Sequence, residues 1–266
     1  MHNLIKRYGQ WAFVAGSATG IGEAFSLALA SKGMNLIMLD HDKAALETLS
    51  DKIRDDYKVE IENVPADLGD ERSPDLVLQK LKEKECRFLV YVAAYSKVKP
   101  FISNTPEELD TYVDVNVRTP LHVFHRFAGA FQQNGQGAMI IMSSLGSMWG
   151  TKLLIPYGAT KAFDLVLAES LHYELKDKDI DVMACVAGAT TTPTYLASNP
   201  QYGTIKPPLQ EPRMVAESAL RNIGKKAVHI CGWQNRLSYL IMTRFFSRGG
   251  AAKVFNRTIG RTYRHI

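Results

Sequence analysis

Tyr157 and Lys161 stand four residues apart in Tyr157-Gly158-Ala159-Thr160-Lys161, and Ser144 lies thirteen residues before the tyrosine. On a helix, positions i and i+4 share one face, so the Lys161 ammonium can lie beside the Tyr157 phenol and favour its phenolate. A tyrosine so placed can exchange a proton with a substrate hydroxyl near neutral pH. A second chemical feature opens the chain, where Val14-Ala15 runs into Gly16-Ser17-Ala18-Thr19-Gly20-Ile21-Gly22. A strand there feeds a glycine-rich turn that starts a helix. Its backbone can approach a pyrophosphate, and the free N–H groups of the helix start stabilise that charge. Asp40 follows the second strand, where a carboxylate accepts hydrogen bonds from ribose hydroxyls and repels a 2′-phosphate. The expected cofactor is therefore NAD, with NADP as the alternative that Lys43 keeps open. Asp40 could instead cap the next helix, although Asp42 is better placed for that.

These residues need elements to hold them. Apolar runs of strand length alternate with helical patterns, the signature of repeated βαβ units. The expected strands are 11–15, 34–39, 59–64, 88–93, 138–142, 181–186 and 227–230, with helices at 21–32, 43–57, 74–85, 106–133, 156–178 and 212–223. This is an α/β, Rossmann-like doubly wound fold, a seven-stranded parallel sheet with helices on both faces, whose ligands bind beyond the carboxyl ends of the strands. One catalytic and dinucleotide-binding domain is expected over 1–233. It includes a proline-rich lid at 190–212, with Pro193, Pro200, Pro207, Pro208 and Pro212, that follows no clear period.

The chain has 266 residues, 46% hydrophobic and 22% charged, enough for one large core. No stretch has the pattern of a secretory leader or a membrane span, so a cytoplasmic protein is expected. Cys86, Cys185 and Cys231 are odd in number and widely spaced, which suggests neither a disulfide framework nor a metal site. The net charge of +5 belongs to the C-terminal end, since no acidic residue follows Glu217. Residues 234–266 are expected to form a basic, amphipathic helical extension. Its apolar side could cover the substrate or a subunit interface, or dock on a membrane surface or an acidic carrier protein. No motif for nucleic-acid binding is present.

The ordered set of glycine loop, Asp40, Asp67, Asn116, Ser144, Tyr157, Lys161 and Thr192 resembles the short-chain dehydrogenase/reductase family from about Ala12 to about Trp233. The resemblance implies that Asp67 and Leu68, ending the third strand, meet the adenine ring. Thr192, with Gly188, would reach the nicotinamide carboxamide. Lys161 would also bind the nicotinamide ribose, and Asn116 would anchor a water linking Lys161 to solvent. The family spacing selects Ser144, over Ser143 and Ser147, to hold the substrate oxygen. Thr19, Gly20, Ile21 and Gly22 match the phosphate-binding turn, and Ala93 the small residue beside the adenosine ribose. Tyr91-Val92-Ala93-Ala94 departs from the family's Asn-Asn-Ala-Gly and puts local stability in question. Ala187 replaces the proline usual before Gly188.

The function expected is NAD(H)-dependent interconversion of a hydrophobic secondary alcohol and its ketone, as an alcohol dehydrogenase or ketoreductase, with Tyr157 as general acid/base. The bulk of Trp149, Met148, Leu153, Leu154, Tyr195, Leu196 and Tyr202 suggests an apolar substrate. The alternatives are a non-catalytic dinucleotide-binding sensor or scaffold, and an epimerase or dehydratase. The resemblance implies a homodimer or homotetramer built on the helices after Pro106 and Pro156.

Overall fold

The computed structural model describes residues 4–202 and 206–266. Seven strands, β1 (Trp11–Ala15), β2 (Asn35–Asp40), β3 (Ile61–Pro65), β4 (Phe88–Tyr91), β5 (Gly137–Ser144), β6 (Ile180–Ala187) and β7 (Val228–Ile230), form one sheet in the order β3-β2-β1-β4-β5-β6-β7. Every pairing is parallel. The order reverses at β1, so the chains leaving β1 and β4 diverge and open a crevice above the sheet.

Helices cover both faces, which is why all six residues of β2 are buried. On one face, alternate strand residues such as Val14, Met38 and Ile140 pack against α2 (Gly20–Ala30), α3 (Lys43–Tyr57) and α9 (Pro212–Asn222). On the other, Phe13, Ile37 and Ile141 meet α4 (Ser73–Glu83), α6 (Thr119–Asn134) and α7 (Ile155–Leu175). Phe124, Phe127 and Phe131 make the buried stripe of α6, and each contributes about 1.5–3 kcal/mol by leaving water. Asp42, as expected, caps α3 by accepting from the Ala45 N–H at 3.0 Å.

The strand and helix expectations hold within a few residues, with three corrections. The single helix expected over 106–133 is α5 (Pro106–Val113), a π-helical turn (Asp114–Arg118) and then α6. Pro120 supplies the reason, because it has no N–H to continue the ladder. The Thr119 N–H is taken by the Asp114 carbonyl, and Pro120 cannot serve the Val115 carbonyl. That oxygen is satisfied from outside the helix by the Tyr91 hydroxyl, at 2.9 Å. Tyr91, the departure that puts local stability in question, thus ties β4 to the π turn.

The second correction is β4, which ends at Tyr91 because Val92 and Ala93 both turn their N–H groups onto the Ala15 carbonyl. The third is the lid, which contains a short helix, α8 (Pro193–Ala197), while residues 203–205 of it lie outside the described residues. The C-terminal extension contains two helices, α10 (Trp233–Phe245) and α11 (Arg248–Thr262). They break at Phe246-Ser247, and Gly249-Gly250 fall in the first turn of α11. A short helix at Leu4–Tyr8 was not expected from the pattern.

Replacing Tyr91 with Phe leaves the half-buried Val115 carbonyl without its donor. The expected cost is about 1–3 kcal/mol, seen in calorimetry as a melting point lower by about 2–10 °C.

Candidate active site

The glycine turn is shaped by how close the backbones come. Gly16 has φ +77°, and a Cβ on it would meet the Ala93 nitrogen at 2.6 Å. A Cβ on Gly22 would lie 1.7 Å from the Gly16 carbonyl oxygen. Neither position admits a side chain, and the first turn of α2 therefore faces open space above the sheet. Asp40 is buried and braces this turn, since its Oδ2 accepts from the Ala18 N–H at 2.9 Å and its Oδ1 from the Asp42 N–H at 3.1 Å.

A cavity of 1770 Å³ opens over the carboxyl ends of the strands. It exceeds the roughly 300–1,000 Å³ of a cleft for one ligand, and has room for a dinucleotide and a substrate side by side. Gly16, Thr19, Gly20, Ile21, Asp40, Asp67, Leu68 and Ala93 line one end. Ser144, Tyr157, Lys161, Gly188 and Thr192 line its middle. Gly22 lies beneath the turn rather than on the wall. Asp67 is exposed and also stabilises its own turn, accepting from the Gly69 N–H at 2.8 Å. Thr192 caps α8 through the Tyr195 N–H.

The three serines near the end of β5 are separated by their partners. The Ser143 hydroxyl donates to the Lys161 carbonyl at 2.8 Å, and the Ser147 hydroxyl to the Ser144 carbonyl at 2.6 Å. Ser144 accepts from the Gly146 N–H at 3.1 Å, which leaves its own O–H to donate into the cavity. Tyr157 lies in the first turn of α7, half-buried on the cavity wall. Lys161, one turn later, donates through Nζ to the Met142 carbonyl at 2.9 Å and to Asp164 at 2.8 Å.

Asn116 does not reach the cavity wall. Its side chain, fully buried in the π turn, accepts from the Tyr95 N–H at 2.7 Å and donates to the Tyr95 carbonyl and the Thr160 hydroxyl. It thereby fixes the irregular segment after β4 to the helix that carries Tyr157 and Lys161. No group of residues suited to a metal occurs among the described residues.

The far end of the cavity is apolar. Trp149 stacks at a tilt on Tyr239 of α10 and Phe255 of α11, with centroids 6.0 and 5.7 Å away. Of the bulky residues singled out by sequence, Trp149, Leu154 and Tyr195 line this end, while Met148, Leu153 and Leu196 do not. Tyr202 supports Tyr195 through a hydroxyl contact of 2.8 Å, and burial pushes the Tyr195 phenol well above its usual range. α11 straps the two rims together: Asn256 bonds Gly150 and Lys152, and the Thr262 carbonyl accepts from the Gln201 N–H.

The short chain dehydrogenase family model matches residues 10–203. The chain belongs to the short-chain dehydrogenase family. It is 30% identical over 234 residues to a 7β-hydroxysteroid dehydrogenase of Clostridium sardiniense, covering 88% of this chain and 90% of that one. A solved 7β-hydroxysteroid dehydrogenase structure superposes with a TM-score of 0.88 at 28% identity, over 95% of this chain and 99% of the other. The inactive hydroxysteroid dehydrogenase-like protein 1 of Homo sapiens is also 30% identical, over 74% of this chain and 61% of its own length. The chain is accordingly an NAD(P)-dependent dehydrogenase/reductase acting on CH–OH groups.

Sequence reasoning missed five contributors. Thr160 and the Tyr95 backbone hold Asn116, and Pro120 inside an expected helix was the available signal for the turn they brace. Tyr239 and Phe255 sit on amphipathic helices whose burial the sequence left open. Asp164 is three residues after Lys161 on the same helix face, an acid in an otherwise apolar run.

Asn116→Ala would leave both backbone groups of Tyr95 without partners. We expect a loss of about 2–4 kcal/mol, measured by denaturant unfolding, with weakened dinucleotide binding.

Proposed function

We propose that this protein is an NAD(H)-dependent oxidoreductase that interconverts a bulky, hydrophobic secondary alcohol, of steroid-like size, and its ketone. One observation carries the reading: Ser144, Tyr157 and Lys161 converge on a single cavity that runs from the glycine turn and Asp40 to an aromatic end wall. The likeness to 7β-hydroxysteroid dehydrogenases supports a fused-ring substrate.

The residues present fit a dinucleotide. The glycine cradle and the start of α2 suit a pyrophosphate, and Asp40, on the wall, suits ribose hydroxyls. Asp67, Leu68 and Ala93 suit the adenosine half, and Lys161, Gly188 and Thr192 the nicotinamide half. No lysine or arginine stands in the turn, and His41 beside Asp40 is exposed, which favours NAD over NADP. The nicotinamide, when bound, supplies or accepts the hydride.

The protein moves the proton. In reduction the Ser144 hydroxyl holds the carbonyl oxygen and the Tyr157 hydroxyl donates to it; in oxidation the phenolate takes the proton from the alcohol. Lys161 favours the phenolate by its charge. Asn116 acts by position, holding the cavity segment at Tyr95 against α7. A binding module needs no such set, which weighs against the sensor or scaffold reading despite the inactive human relative.

The exposed Val113, Leu121, Val166 and Tyr173 on α5, α6 and α7 favour a homo-oligomer through those helices. The inward faces of α10 and α11 line the cavity, favouring a role in covering the substrate. Trp233, Leu240 and Phe245 remain exposed near Arg236 and Arg244, which supports a surface contact with a membrane or acidic partner as a second reading. No helix among the described residues is long and apolar enough to cross a membrane. Three free cysteines suit a reducing, cytoplasmic setting.

Two outcomes test the proposal. Tyr157→Phe is expected to lower kcat with hydroxysteroids about 10²–10⁴-fold while NADH binding, followed by fluorescence, is kept. Asp40→Ser combined with His41→Arg is expected to shift the NAD/NADP ratio of kcat/KM toward NADP by about tenfold or more, roughly the 1.4 kcal/mol of one charge-assisted contact.

A further inference from the structure

Lys161 serves the cavity with only part of its bonding capacity. Its ammonium lies 2.8 Å from the Asp164 Oδ2, in an ion pair whose side chains are 2% and 1% exposed. A second bond, to the Met142 carbonyl, also points into the interior. The other carboxylate oxygen, Asp164 Oδ1, is buried with no partner. Such a carboxylate is poorly compensated, and its field reaches across the low-dielectric interior to nearby groups.

We infer that Asp164 is a positioning residue that sets how readily Tyr157 gives up its proton, by holding Lys161 inward and offsetting part of the charge the phenol feels. Tyr157, Lys161 and Asp164 occupy successive turns of one face of α7. The backbone positions of Tyr157 and Asp164 are seven residues, about 10 Å, apart along the helix axis, with Lys161 between them. A unit charge at that range shifts an ionisation by about one pH unit at the effective dielectric of protein sites.

Two titratable groups face Asp164. Lys161 attracts it from α7, and Tyr91 approaches from β4, its phenol pushed up by burial and further by the Asp164 charge. The Tyr91 hydroxyl stays protonated in its bond to Val115 and adds no charge. Burial pushes the Asp164 carboxyl up to about 6, against the pull of Lys161. Below that pH the carboxyl is neutral and Lys161 acts on Tyr157 unopposed; above it the offset is in force.

This rests on Tyr157 as the proton donor, so the test includes a reading independent of turnover. Tyrosinate ultraviolet absorbance is titrated in the wild type against Tyr157→Phe, and in Asp164→Asn against Asp164→Asn with Tyr157→Phe; each difference reports Tyr157 alone. Asp164→Asn keeps an oxygen for Nζ and removes the charge. The expected result is a Tyr157 midpoint lower by about one pH unit, with the pH profile of kcat/KM for alcohol oxidation moved equally toward acid, and both returned by Asp164→Glu. An unmoved midpoint, with only a changed melting point, would overturn the inference and leave Asp164 a structural residue. Should Asp164→Asn fail to fold, Asp164→Leu carries the same comparison. A shifted midpoint without turnover would sink the proposed reaction and leave the electrostatic role standing.

Discussion

The site depends on how the backbone is paired where β1 ends. The Ala15 carbonyl accepts from both Val92 and Ala93, and the Leu39 carbonyl from both Gly16 and Ser17. Buried backbone groups must find partners, and here two oxygens serve four donors as the chains turn apart. Three strand ends are thereby stitched to one point with no side chain between them. The glycine turn, Asp40 and Ala93 have no freedom to separate, and an anion-binding surface is in place before any ligand arrives.

A second set of ties does for Ser144, Tyr157 and Lys161, the residues proposed to handle the proton, what the first does for the glycine turn. Ser143 and Lys161 fasten α7 to β5 from both sides, one through a side chain onto the helix backbone and the other through a side chain onto the strand backbone. Asn116 adds a third element at the same height. Ser144 and Tyr157 are left with their O–H donors uncommitted, although the Ser144 oxygen accepts from the Gly146 N–H. A phenol and a hydroxyl held this way lose little freedom when a substrate oxygen enters between them.

Much of this was legible in the sequence, for a physical reason. Strands covered on both faces must be apolar throughout, and the helices between them must show an apolar stripe, so the alternation of β and α is written in residue type. The glycine turn and the Tyr157–Lys161 spacing are equally local. What escaped was non-local. The π turn depends on Pro120 withholding a donor and on Tyr91, far away in sequence, supplying one. The apolar end wall depends on Trp149 meeting Tyr239 and Phe255, residues about a hundred positions later, which no periodicity announces. The pairing of Lys161 with Asp164 was visible as a spacing, but its burial was not.

The family match ends at residue 203, and the helices that close the apolar end of the cavity come after it. The chain thus divides its work between two kinds of constraint. The residues proposed to handle the proton and the dinucleotide are tied by backbone and side-chain bonds at the strand ends. The apolar end of the cavity, proposed above to hold the substrate, is shaped in part by side chains of α10 and α11 that lean on its rims. On the proposed reading, changes in α10 and α11 would alter which molecules fit while leaving the ties around Ser144, Tyr157 and Lys161 in place, so that one inherited chemistry could be passed among very different substrates.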